Sequence, residues 1–179
     1  MDKICVFTGS SPGRREEYRE NAILLAQELT KRKIDLVYGG ANVGLMGAIA
    51  DKVLEGGGQV VGVMPESLVV KEMVHQGLSH LHVVSSMHER KALMAELSDG
   101  FIAMPGGFGT LDETFEVITW AQLGFHKKPC GLLNVCGFFD DLHTFLKTAA
   151  KERFIKEEHL SMLFVESSPA VLLDRFEAY

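Results

Sequence analysis

Short apolar runs alternate along the chain with longer stretches of helical period. Ile4–Thr8, Asp35–Tyr38, Val60–Met64, Leu81–Val84, Gly100–Met104, Cys130–Asn134 and Met162–Val165 read as strands. Several of these runs are continuously apolar, as expected of parallel strands covered on both faces. Between them, Arg15–Lys33, Leu45–Glu55, His88–Leu97, Leu111–Leu123, Phe139–Arg153 and Ala170–Phe176 carry the helical period. The alternation predicts an α/β fold, a Rossmann-like doubly wound and mostly parallel sheet with helices on both faces. No repeat, linker or low-complexity tract interrupts it, so residues 1–179 are expected to form one domain. Pro65–Gly77 is the least regular segment and is expected to be a short helix or a loop over the site.

In such sheets ligands bind beyond the carboxyl ends of the strands. Four Gly- or Ser-rich turns follow strands here: Thr8–Gly13, Gly39–Gly47, Ser85–Lys91 and Pro105–Thr110. All four converge on one edge of the sheet, which makes Gly9, Ser10, Gly40 and Gly44 candidate substrate contacts. The last turn, Gly106-Gly107-Phe108-Gly109-Thr110, sits between a strand and a helix. Glycines there let backbone N–H groups approach an anion, and the helix N-terminus adds unpaired donors and the positive dipole end. Thr110 can add a hydroxyl. No Lys follows the last glycine, so this is not a P-loop, and the spacing is not that of the dinucleotide fingerprint.

Glu113 and Glu116, both candidate site carboxylates, with Glu116 as a candidate substrate contact, lie one helical turn apart on one face. Thr110-x-x-Glu113 is also a capping box, which would occupy Glu113 structurally. A carboxylate beside an anion cradle repels its ligand unless it has a task, which favours a catalytic or ribose-binding Glu113. Ser86-x-x-Glu89 is a second capping box and starts a helix at whose first turn Arg90 and Lys91 fall. Cations there oppose the helix dipole by about 0.3–1 kcal/mol each, a cost that a bound anion or a facing carboxylate such as Glu113 offsets. Phe115, Ile118, Trp120, Leu123 and Phe125 make the helix after the cradle apolar on both sides, so an oligomer interface is expected beside the core.

Composition narrows the function classes. The net charge of −6 and the lack of a basic cluster exclude the electrostatic footprint of a nucleic-acid binder. No apolar run is long enough to span a bilayer. The three cysteines form no CxxC pair, and with no signal segment they are expected to be free thiols in the cytoplasm. The seven histidines show no metal-ligand spacing, and no G-x-S-x-G elbow supports acyl transfer.

The run Pro105–Glu113 (PGGFGTLDE) resembles the PGGxGTxxE signature of the Lonely Guy (LOG) family. Met87-His88-Glu89-Arg90-Lys91 and Gly39-Gly40 with Gly44-Leu45-Met46-Gly47 are similar to that family's other blocks. Thr119–Gly124 and Gly131–Asn134 extend the resemblance over essentially the whole chain. It implies a cytokinin riboside 5′-monophosphate phosphoribohydrolase, an N-glycosidase that releases a base and ribose 5-phosphate from N6-modified AMP. It further implies a homodimer with no metal or redox cofactor, with Arg90 and Glu113 as the catalytic pair. By the same resemblance Gly107, Gly109 and Thr110 bind phosphate, Gly106 lines their turn, and Met87 and Lys91 help line the nucleotide pocket. Two alternatives stay open: a general AMP nucleosidase in salvage, and a nucleotide or molybdenum-cofactor carrier, since such carriers are similar in fold and glycine distribution.

Overall fold

The computed structural model describes residues 1–69 and 74–179. Seven strands form one parallel sheet: β1 (Lys3–Phe7), β2 (Asp35–Tyr38), β3 (Val60–Pro65), β4 (His80–Val84), β5 (Gly100–Ala103), β6 (Cys130–Leu133) and β7 (Leu163–Glu166). Their order is β4-β3-β2-β1-β5-β6-β7, and every pairing between them is parallel. The chain therefore winds outward from β1 in one direction, then crosses over and winds outward from β5 in the other. The expected doubly wound architecture is what forms.

The helices are α1 (Glu16–Arg32), α2 (Gly44–Glu55), α3 (Glu66–Val69), α4 (Met87–Leu97), α5 (Phe108–Gln122), α6 (Asp140–Lys151), α7 (Glu157–Leu160) and α8 (Pro169–Glu177). Along β1 the two-residue period splits the core: Ile4 and Val6 pack with α1, α2 and α8, while Cys5 and Phe7 pack with α4 and α5. Both sets are buried, which is why β1 reads as a continuous apolar run. α1 ends at Lys33, which takes the left-handed conformation and returns its N–H to Leu29 and Thr30. Arg32 bridges Glu28 to Asp174 and Glu177, tying α1 to α8. Among the described residues no helix is long and apolar enough to cross a membrane.

The irregular segment Pro65–Gly77 is partly helical, as α3, and positions 70–73 of it lie outside the described residues. Val74 makes an antiparallel bridge to Ala41. His75 donates its N–H to the Gly40 carbonyl at 3.0 Å, and its Nε2 meets Asp51 Oδ1 at 2.9 Å. The chain just before β4 is thus fixed to the turn after β2.

Candidate active site

The site lies where strand order reverses, between the turns that leave β1 and β5. These strands are hydrogen-bonded neighbours with Phe7 opposite Ala103, so their turns emerge side by side. Gly44 is held at φ +56°, and a Cβ on it would run into the Ser10 backbone. That glycine lets the start of α2 close onto the β1 turn, where Leu45 N–H donates to the Gly9 carbonyl.

The cradle differs from the sequence expectation in one important way. α5 begins at Phe108, three residues earlier than the periodicity suggests, with Gly107 as its N-cap and no side-chain cap. Leu111 N–H is the first to turn back, bonding the Gly107 carbonyl. Among the described residues, the N–H groups of Phe108, Gly109 and Thr110 have no partner. Thr110 is therefore inside the first turn, and the Thr110–Glu113 capping box does not form. Its hydroxyl packs instead against Gly106, which has no room for a Cβ. The structural role that competed for Glu113 is removed.

Arg90 and Glu113 meet across the α4–α5 gap, Nη1 to Oε1 at 3.0 Å, with side chains 12% and 11% exposed. The contact is close but misaligned, and Oε1 is buried without a hydrogen-bond partner among the described residues. Arg90 is steered by its own Nε–H, which donates to the Val63 carbonyl at 3.0 Å. Burial pushes the Glu113 pKa above the usual glutamate value. Arg90 and Lys91 oppose that rise, and Asp112 and Glu116 add to it. The Ser86 box forms by half: Ser86 Oγ accepts from Glu89 N–H, but Glu89 bonds the N–H and hydroxyl of Ser85 instead of the Ser86 N–H.

A cavity of about 270 Å³ unites these parts. Thr8, Gly9 and Ser10 form one wall, and Gly107 to Thr110 form the floor. Arg90 and Glu113 open into it, and Met46 and Leu68 give it an apolar side. Gly106 lines a separate cavity of about 260 Å³ that shares Gly9, Ser10 and Gly107 with the first. A wider hollow of about 750 Å³ lies around Asn42, His75 and Leu81, and no carboxylate among the described residues lines it. The smaller cavity is therefore the candidate site.

Besides Gly106, five of the expected contacts lie elsewhere, Gly44 among them, at the start of α2 against the Ser10 backbone. Lys91 does not line the cavity: it pairs with Asp112 at 3.1 Å and Glu116 at 3.0 Å. Burial works against its charge, but Glu116 and Asp112 outweigh it and raise its pKa. Glu116 faces Lys91 and an open hollow beside Phe115 and Trp120. Met87 is exposed at the head of α4. Gly40, at φ +85°, packs against Met64 and Leu81. Conversely, Thr8, Met46, Leu68 and Phe108 line the cavity without having been singled out, although Thr8, Met46 and Phe108 sit within the turns that were read. Among the described residues no three His, Cys, Asp or Glu side chains converge as metal ligands would.

Fold and candidate site define a doubly wound α/β protein with an uncapped, glycine-lined helix start beside a buried arginine–carboxylate pair. The family model described as "Possible lysine decarboxylase" matches residues 46–176. The chain belongs to that family, the Lonely Guy (LOG) family. It is 48% identical to the Oryza sativa subsp. japonica cytokinin riboside 5′-monophosphate phosphoribohydrolase LOG, over 99% of this chain and 73% of that protein. It is equally identical to the Arabidopsis thaliana enzyme LOG7, over 99% of this chain and 82% of that one. Among solved structures it is similar to the molybdenum cofactor binding protein of Rippkaea orientalis, with TM-score 0.75 and 24% identity over 99% and 96% of the two chains. The Moco carrier protein of Chlamydomonas reinhardtii matches with TM-score 0.75 and 19% identity over 99% and 98%. At such identity the structural matches speak for the fold alone.

Proposed function

We propose that this protein hydrolyses the N-glycosidic bond of N6-modified adenosine 5′-monophosphate, giving free base and ribose 5-phosphate. One observation carries the reading: the uncapped start of α5 and the Arg90–Glu113 pair open into the same cavity. The N–H groups of Phe108, Gly109 and Thr110 take the phosphate, with the helix dipole behind them. Anchored there, the substrate presents its ribose to Glu113. Cleavage develops positive charge on the ribose, which the Glu113 carboxylate stabilises while taking a proton from water. The hydroxyl joins the anomeric carbon as the C–N bond breaks; the base leaves with the bonding pair and takes a proton from solvent, to which Glu113 returns its own. Arg90 holds Glu113 ionised in its buried setting. Met46 and Leu68 supply an apolar surface that suits an alkylated base.

The relatives of high identity carry this activity in their names, whereas the carrier proteins share only the fold. The decarboxylase description lacks a chemical basis here. Pyridoxal-phosphate chemistry needs a Schiff-base lysine. Among the described residues no lysine lines the cavity, and Lys91 is committed to two carboxylates.

A homodimer completes the reading. Phe108, 94% exposed, lies with Phe115 and Trp120 on one side of α5, and Leu123 and Phe125, just past the helix end, are 58% and 74% exposed. Apolar exposure of this kind marks an interface. A cytoplasmic location fits three unpaired cysteines. The test is incubation with isopentenyladenosine monophosphate and with AMP, followed by chromatography of the released base. Absence of base from both, with folded dimer confirmed by sedimentation, rejects the reading. The ratio of kcat/KM between the two separates a cytokinin-type enzyme from a general AMP nucleosidase.

A further inference from the structure

The cradle is held in place by a residue that the phosphate itself does not need. Pro105, just before the glycines, has a carbonyl that accepts twice from the β1 turn. Gly9 N–H donates to it at 3.1 Å, and the Thr8 hydroxyl donates at 3.1 Å. Two donors fill the two lone pairs of that oxygen. The turns touch backbone to backbone: a Cβ on Gly106 would lie 2.9 Å from Gly9 N, and one on Gly9 would lie 3.4 Å from Gly106 Cα. Between such bare turns, Thr8 supplies a side-chain tie, and it is only 7% exposed.

Thr8 also lines the reaction cavity. Its hydrogen is committed to Pro105, so its oxygen offers the cavity only lone pairs. A phosphate needs donors, which makes Thr8 a poor anion ligand in this geometry. We propose that Thr8 is a positioning residue whose hydroxyl, acting through Pro105, sets where the start of α5, with its cradle N–H groups and Glu113, stands relative to the β1 turn and Arg90. This rests on the cavity being a nucleoside monophosphate site. A displacement of about 1 Å at such a site costs roughly 10²-fold in rate.

Thr8→Val keeps the shape and removes the hydroxyl, leaving one lone pair of a buried carbonyl empty. The Kd for ribose 5-phosphate, measured by calorimetry, is expected to rise about tenfold, the equivalent of one lost hydrogen bond. The Kd for adenine is expected to stay unchanged, because the base does not touch the cradle. kcat/KM for AMP or its isopentenyl analogue falls by about 10–10²-fold, with a fall in kcat that exceeds what saturation by substrate can recover. Thr8→Ser restores both constants. A merely structural residue would lower Tm in all variants alike and leave the ribose 5-phosphate to adenine ratio unmoved. Thr8→Ala replaces Thr8→Val if the latter does not fold. Wild-type ribose 5-phosphate affinity in the Val or Ala variant overturns the proposal, as does a Ser variant as impaired as Val. In either case a wild-type protein that binds and turns over nucleotide leaves the hydrolase reading standing. A wild type that does neither removes both.

Discussion

Arg90 and Glu113 approach to 3.0 Å in a buried gap between two helices, yet the contact is not an aligned hydrogen bond. An arginine usually clamps a carboxylate through a planar fork. Here the Val63 carbonyl holds Nε and turns the fork aside. The carboxylate keeps its charge partner and retains an unspent acceptor, Oε1, while the residue itself lines the cavity. That is the condition a general base requires.

The first prediction follows from the balance on Glu113. Burial raises its pKa above the ordinary 4.5, against the pull of Arg90. If the ionised form is the working form, activity is lost as pH falls through that raised value. The acid limb of the kcat profile is therefore expected above the position of an ordinary glutamate. Glu113→Gln is expected to fold and to lose about 10²–10⁴-fold in kcat, with no limb left to titrate. A fully active Gln variant assigns Glu113 to packing only.

The second concerns Gly39, which touches no substrate in this reading. A Cβ there would collide with the Arg90 guanidinium, although the backbone itself is unstrained. The obstacle is the end of a flexible side chain, so Gly39→Ala should fold. The guanidinium must leave its place, and Glu113 then loses its nearest cation. We expect kcat to fall about tenfold or more and the acid limb to move further up, with Tm within a few degrees of wild type. Unchanged kinetics would mean that Arg90 does not need this position.

These two residues show how much of the site could be read in the sequence. Glycine spacing and the odd placement of Arg90 at a helix start pointed to an anion and a facing carboxylate, and the fold places Arg90 against Glu113. The start of α5 was misplaced because a glycine-rich stretch carries no helical period, so Thr110 was taken for a cap. The family resemblance puts Lys91 in the pocket beside Arg90. Neighbours on a helix point about 100° apart, and Lys91 turns toward Asp112 and Glu116 instead. Leu68 could not be found from spacing, because α3 reaches the cavity only through the crossover that follows β3. The parallel, doubly wound character was legible because buried parallel strands leave uninterrupted apolar runs; the edge strands depart from that rule, β4 by lying largely exposed and β7 by being only half-buried.

The third prediction contrasts two glycines of the same edge. Gly44→Ala forces a side chain into the Ser10 backbone at a positive φ, so the α2 start must lift off the β1 turn. It should lower Tm and weaken substrate binding together. Gly109→Ala meets nothing within 4 Å and lies in the first turn of a helix. Alanine there favours the helix by up to about 1 kcal/mol. Thermal unfolding should show Tm unchanged or raised, while KM rises about tenfold, because the new methyl group intrudes on the phosphate. Equal losses of Tm in both variants would contradict the packing described.

The last prediction lies away from the cavity, where α5 hands the chain on to β6. His126 sits against Phe101 with ring centroids 5.3 Å apart. Its Nε2–H donates to the Val117 carbonyl at 3.0 Å, and its Nδ1 accepts from Lys128 N–H at 3.1 Å. Both nitrogens are used by the neutral ring, and a proton on Nδ1 would face a donor. Burial lowers the His126 pKa below 6.5, Lys128 adds to the fall, and the Val117 bond only partly opposes it. The unfolded chain therefore takes up this proton at higher pH than the native one. Stability from this group is complete above pH 6.5 and is lost as pH drops through the lowered native value. Urea unfolding across that window should show stability declining with acid. His126→Gln, which cannot titrate, should flatten the decline while costing some stability at neutral pH through the lost ring packing. A decline of the same slope in the Gln variant would place the acid sensitivity in another group.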